Sequence, residues 1–222
     1  MKSPGVEKVA IFGTGGHGRE IAWLLESHPC FEPVCFVVDA VSSGDDMLGD
    51  VNGISVLSWE GFLAARPCSS ILVAIGNGSD RRLVVDRCKK EGLSFPSVVG
   101  YGVRVSQFIE MRDGAVIFGG ALLTVNISIG SHVHINQACS ISHDVRIGDF
   151  STLSPGVNIS GHVEIGEGVF IGTGASIING SRAAPLIIAN GSVIGAGACV
   201  THSIEVAGVY VGVPARLVKA GN

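Results

Sequence analysis

The chain has 222 residues, 46% of them hydrophobic, and a formal net charge of −4 with no run of Lys or Arg. That length gives room for two small domains with separate cores. The charge leaves no electrostatic footprint for nucleic acid or an anionic membrane, so small-molecule partners are expected. The 32 glycines are about twice the usual share and follow no Gly-X-Y period, which excludes collagen and requires many tight turns.

The first five residues (MKSPG) lead into a short apolar strand without a basic segment and a long apolar stretch, so no signal peptide is expected. The six cysteines (Cys30, Cys35, Cys68, Cys88, Cys139, Cys199) contain no C-x-x-C pair. They read as small buried hydrophobes in a cytoplasmic protein.

From residue 7 to about 99, apolar strands alternate with helical stretches, the pattern of βαβ units on a parallel sheet. Strands are expected at residues 8–12, 34–38, 54–56 and 70–75. Helices are expected at 17–28, near 59–65 and at 80–91. Between the first strand and helix stands Gly13-Thr14-Gly15-Gly16-His17-Gly18, a G-x-G-x-x-G turn whose amides can cradle a diphosphate. With Asp39 ending the second strand, this is a dinucleotide fingerprint. However, some ninety residues supply only one mononucleotide-binding half, too little for NAD.

Beyond residue 100 the period becomes six. Every sixth residue from Val105 through Met111, Ile117, Leu123, Ile129, Ile135, Ile141, Ile147, Leu153, Ile159, Ile165 and Ile171 to Ile177 is a branched or long aliphatic. Thirteen such residues in succession have a chance probability below about one in a million. Four residues after each lies a smaller inward set, from Ala115 to Ala175, broken only by Ser151. Gly130, Gly148, Gly166 and Gly172 directly follow the large aliphatic, where a turn without Cβ is expected. Three hexads make one coil of about eighteen residues, and coils stack into a prism. The phase resumes at Ile188, Ile194 and Val200; since 188 − 177 = 6 + 5, five residues are inserted and residues 179–186 (NGSRAAPL) loop out. The expected domains are 1–99 and 100–222.

Three stretches carry a family resemblance: residues 9–19 (VAIFGTGGHGR), 136–150 (NQACSISHDVRIGDF) and 208–219 (GVYVGVPARLVK). The chain resembles bacterial sugar acyltransferases that join an α/β Rossmann-like half-domain binding a nucleotide sugar to a left-handed parallel β-helix. These include N-acetyltransferases acting on nucleotide-linked 4-amino-4,6-dideoxy sugars and sialic acid O-acetyltransferase-like proteins. The resemblance implies a left-handed coil, a homotrimer and acetyl-CoA as co-substrate, with surface-glycan biosynthesis as the setting.

It also implies roles for particular residues. His143 matches the general base, able as neutral imidazole to take a proton near pH 7. Asp144 matches the acidic residue that sets its tautomer, which requires the pair to lie at a coil corner because strand neighbours face opposite ways. Gly161, eighteen residues beyond His143, stacks one coil over it and matches the glycine whose N–H meets the thioester carbonyl. Thr173 and Ala196 match the pantetheine contacts. Thr152 stands where relatives carry a histidine near CoA. Asn136 matches an acceptor contact. In the N-terminal half, Gly15, Gly16 and His17 match the diphosphate and sugar contacts and Asp39 the base reader, with Gly76, Asn77 and Arg81 as weaker members of that site.

Three rival readings are compatible with the same residues. One is O-acetylation of a sialic acid or similar sugar by the same His143. Another is a metal-dependent hydratase using His132, His134, His143 and His162. The third is a non-catalytic sugar-nucleotide-binding partner. His28 and His202 read as surface residues, Asp113 as a turn residue and the Asp45-Asp46 pair as a solvated loop.

Overall fold

The computed structural model describes residues 5–39 and 47–221; Asp45 and Asp46 lie outside them. By contacts the chain divides into a unit of residues 1–76 and 80–96 and a unit of residues 77–79 and 97–222.

In the first unit the elements are β1 (Glu7–Phe12), α1 (Gly16–Glu26), β2 (Phe31–Val38), β3 (Met47–Val51), β4 (Ile54–Ser58), α2 (Trp59–Ala65), β5 (Ser70–Val73) and all but the first two residues of α3 (Gly78–Lys90). The sheet order is β3-β4-β2-β1-β5, parallel except for the β3–β4 pair. β1 and β5 bury four successive residues each, Val9 to Phe12 and Ser70 to Val73, as strands covered on both faces do. α1 sets Ile21, Ala22, Leu24 and Leu25 inward. β3 is absent from the sequence expectation. Its signal was the Asn52-Gly53 pair, both in the left-handed region at φ 54° and 80°, a hairpin turn that pairs β3 with β4.

The second unit is a parallel β-helix of hexapeptide repeats, its short strands stacking in three sheets. Strand pairs are eighteen residues apart, as in His134↔Thr152 and Ser140↔Asn158. The inward aliphatics and the smaller set form one continuous core, which favours the coil through its removal of apolar surface from water. Val105 and Met111 depart from expectation: both are exposed, at 48% and 38%, since they lie in the helix's first coil. Ser151 is tolerated inside because its hydroxyl donates to the Gly166 carbonyl at 2.8 Å and accepts from the Val169 N–H at 3.1 Å. Ile141 sits at the centre with no exposed surface. Ile141→Ala is therefore expected to cost about 2–5 kcal/mol in urea unfolding, and a loss below about 1 kcal/mol would contradict this packing.

The turn chemistry differs from expectation. Gly130, Gly148, Gly166 and Gly172 do not take positive φ; they lack Cβ because the next coil crosses them. A Cβ on Gly172 would fall 2.5 Å from the Ala196 nitrogen. The left-handed residue comes two positions later, and at Asn126, His132, Ala138, Asp144, Phe150 and His162 it is not glycine, with φ between 55° and 60°. Such backbone is held by bonds to the preceding coil, as with Asp144 N–H to the Val125 carbonyl at 3.1 Å.

The inserted residues leave after Ser176–Ile177 and rejoin at Leu186–Ile188, where the register becomes Val163↔Leu186. Among the cysteines, Cys35, Cys88 and Cys139 are buried, and burial pushes their thiols up to about 12, 11 and 11. Cys30 is exposed, against expectation.

Candidate active site

His143 and Asp144 occupy the edge where the strand Ser140–Ile141 turns into Arg146–Ile147. Asp144 has φ 58°, and at this corner its carboxylate reaches the preceding imidazole: His143 Nδ1 lies 2.8 Å from Asp144 Oδ2. Asn126, eighteen residues earlier, donates its amide to Asp144 Oδ1 at 3.1 Å. The His143 hydrogen bond first, then that of Asn126, holds the Asp144 carboxyl below its ordinary value. The hydrogen bond assigns the proton to Nδ1, leaving the lone pair on Nε2, on a side chain 52% exposed.

Gly161 lies directly against this ring. A Cβ there would fall 2.4 Å from His143 Cε1 and 2.6 Å from Nε2. The Gly161 φ is not in the left-handed region, so the glycine is demanded by the imidazole's approach. Its N–H has no acceptor among the described residues, which leaves a donor next to the basic nitrogen. The arrangement thus offers a proton acceptor and an amide donor one coil apart, the two groups that an acyl transfer needs.

His162 is an addition that sequence reasoning placed only in the metal set. Its ring meets that of His143 edge-on at 5.1 Å, and its Nε2 is 3.8 Å from Asp144 Oδ2. His143, Asp144 and His162 present ligand atoms within 4.8 Å of one another. His132 and His134 do not join them: both are buried, and His132 stacks on Phe150 at 5.1 Å. The four-histidine metal set therefore does not converge.

Thr173 and Ala196 are exposed and stacked, Gly197 N–H reaching the Thr173 carbonyl at 2.9 Å. They occupy the edge between Phe170–Ile171 and Ser176–Ile177, which is not the edge of His143. Thr152 is buried on the strand beside His134. Asn136 is also buried, with its amide donated to the Leu153 carbonyl at 2.7 Å. One of its two amide N–H groups is thereby bound to the helix itself.

In the first unit, Gly15 caps α1, and Gly15 and Gly16 are exposed with nothing within 4 Å of a Cβ. Gly18 is the tight one, its Cβ position 2.0 Å from the Gly13 carbonyl oxygen. His17 lies 3.6 Å from Glu20; burial lowers its pKa against the opposing pull of that carboxylate. Asp39 is exposed and ion-paired with Arg87 at 2.6 Å. The Arg87 guanidinium lies over the Trp59 ring, 4.3 Å from its centroid. Arg81 departs from its expected place at the ligand surface: it is fully buried and donates to the Ile75 and Gly76 carbonyls. It shapes the Gly76 loop from beneath, and burial lowers its pKa to about 9. The Asn77 side chain accepts from Ser79 N–H at 2.9 Å, capping α3.

Residues 8–88 match the family model described as the PglD N-terminal domain. A GDP-perosamine N-acetyltransferase from Escherichia coli is 34% identical over 184 residues, covering 82% of each chain. The chain belongs to the sugar N-acetyltransferase family. It is an N-acetyltransferase with acetyl-CoA as co-substrate and a nucleotide-linked amino sugar as acceptor. Two solved structures agree over nearly the whole chain. One is the acetyltransferase domain of PglB from Neisseria gonorrhoeae with acetyl coenzyme A, 28% identical with a TM-score of 0.85 and covering 96% of this chain and 100% of that one. The other is a histidine-to-asparagine variant of perosamine N-acetyltransferase from Caulobacter crescentus with CoA and GDP-perosamine, 25% identical with a TM-score of 0.85, covering 99% and 100%. The resemblance read from the three motifs is borne out, as is N-acetyl transfer over its O-acetyl rival. Among the described residues no helix is long and apolar enough to cross a membrane.

Proposed function

We propose that this N-acetyltransferase acetylates the 4-amino group of a GDP-linked 4-amino-4,6-dideoxy sugar of the GDP-perosamine type, with His143 as general base. The observation that carries this reading is the 2.8 Å His143–Asp144 bond with the Gly161 backbone against the same ring. In the reaction the amine lone pair attacks the thioester carbonyl carbon and a C–N bond forms. The oxyanion is met by the Gly161 N–H, worth about 3 kcal/mol to the transition state. His143 Nε2 takes the amine proton as Asp144 stabilises the imidazolium. The C–S bond then breaks, and the proton passes from His143 to the departing sulfur.

The first unit is read as the Rossmann-like half that binds the nucleotide. The open amides of Gly15 and Gly16 and the neighbouring His17 face the diphosphate at the positive end of α1, and Asp39 reads the base. Arg87 engages one carboxylate oxygen of Asp39 and leaves the other for a base N–H. We read the coil as left-handed and the protein as a cytoplasmic homotrimer in surface-glycan synthesis. Thr173 and Ala196 lie on a different edge from His143, so a site using both is completed by a second copy, which supports the trimer.

The acceptor is tested by offering UDP-, GDP- and dTDP-linked 4-amino sugars with acetyl-CoA. GDP-perosamine is expected to give the highest kcat/KM, by about tenfold or more. Equal or higher turnover of a UDP- or dTDP-linked sugar would overturn the base assignment.

A further inference from the structure

The five-residue insertion does not fall at an arbitrary place on the coil. Counting eighteen residues on from His162 gives Gly180, so the loop springs from the edge that carries the catalytic pair. It is tied there at both ends. Gly180 N–H donates to the Gly161 carbonyl and Leu186 N–H to the His162 carbonyl, each at 3.0 Å. Between these anchors Ser181 and Ala184 exchange backbone hydrogen bonds at 2.9 and 3.1 Å, and the Ser181 hydroxyl accepts the Ala184 N–H at 3.1 Å. The result is a closed turn with Arg182 at its tip.

Arg182 lines an open groove of about 950 Å³ that also holds Glu110, Asn126, Asp144, Arg146, His162 and Glu164. One wall of the groove thus carries Asp144, the partner of His143, and His162, and the loop forms another. Arg182 is exposed and has no carboxylate within 4.0 Å among the described residues. An unpaired guanidinium on a braced turn suits a ligand that supplies paired anionic oxygens, which its planar fork binds two at a time. Both substrates of the transfer carry such a group, the diphosphate.

We propose that Arg182 is a diphosphate-binding residue of the acetyl-transfer site, held over it by the inserted loop. The source is the diphosphate of CoA or of the nucleotide sugar, and the second source rests on the acceptor reading above.

The test is calorimetric titration of CoA and of GDP-perosamine into the full chain and into Arg182→Ala and Arg182→Lys variants, with circular dichroism as the control for folding. Arg182→Ala is expected to weaken one of the two ligands by about tenfold and leave the other within about twofold, and lysine to recover only part of the loss. Where CoA is the ligand affected, dephospho-CoA must show the same tenfold loss; if it does not, the contact is to the 3′-phosphate and the proposal fails. Wild-type protein that binds CoA but not GDP-perosamine overturns the acceptor reading. Wild-type protein that binds both, with Arg182→Ala binding both within about twofold, overturns the role of Arg182.

Discussion

Replacing His143 by alanine is expected to lower kcat by about 10²- to 10⁴-fold with little change in KM for either substrate. The imidazole is on the surface of the coil and contributes nothing to the aliphatic core, so the variant should fold as the wild type does. The amine proton would have to leave to water, which lacks the fixed position set by the 2.8 Å bond to Asp144. Initial rates at saturating acetyl-CoA measure this directly. A fall of less than about threefold would remove His143 as the base, and a large rise in KM at constant kcat would make it a binding residue instead.

The second large effect is expected from a single methyl group. Gly161→Ala adds a Cβ 2.4 Å from His143 Cε1 and 2.6 Å from Nε2, separations that no packed structure accommodates. The Gly161 backbone is not in a conformation reserved for glycine, so alanine can take it and the coil survives. What must move is the imidazole, and its displacement breaks the alignment with Asp144 while crowding the N–H that we propose meets the thioester oxygen. We expect kcat to fall by about 10²-fold or more, the size of losing one oxyanion donor, with the unfolding midpoint nearly unchanged. Near-wild-type turnover would show that the Gly161–His143 approach has no part in the chemistry. Loss of folded protein would show that the glycine serves the coil.

Why some of this was legible in the sequence and some was not has physical reasons. The aliphatic ladder was readable because a repeating coil puts the same packing demand at the same phase. By the same arithmetic the loop at 179–186 and the stacking of Gly161 on His143 followed before any coordinates. The corner chemistry was not, because two reasons for glycine look alike in a sequence. Gly172 is required by the Ala196 backbone crossing it, whereas left-handed φ falls on residues such as Asp144 and Phe150, which carry side chains.

Asn126 was missed as the second partner of Asp144, though its position eighteen residues earlier was available. Thr173 lies thirty residues beyond His143, twelve past a full coil, which already put it on another edge. Arg81 could not be read correctly. A charged helix residue is ordinarily solvent-facing, and only the structure shows its guanidinium bound to the Ile75 and Gly76 carbonyls. The hairpin at β3 is signalled only by Asn52-Gly53, a two-residue cue set within a pattern that otherwise reads as parallel.

The measurement that bears most directly on the site is a crystal structure of this protein with CoA and GDP-perosamine bound together. The sugar's 4-amino nitrogen is expected within about 3.2 Å of His143 Nε2, and the CoA sulfur at a position from which an acetyl oxygen carried on it would face the Gly161 N–H. An amine more than about 6 Å from His143, or a CoA sulfur at an edge of the coil that carries neither residue, would contradict it.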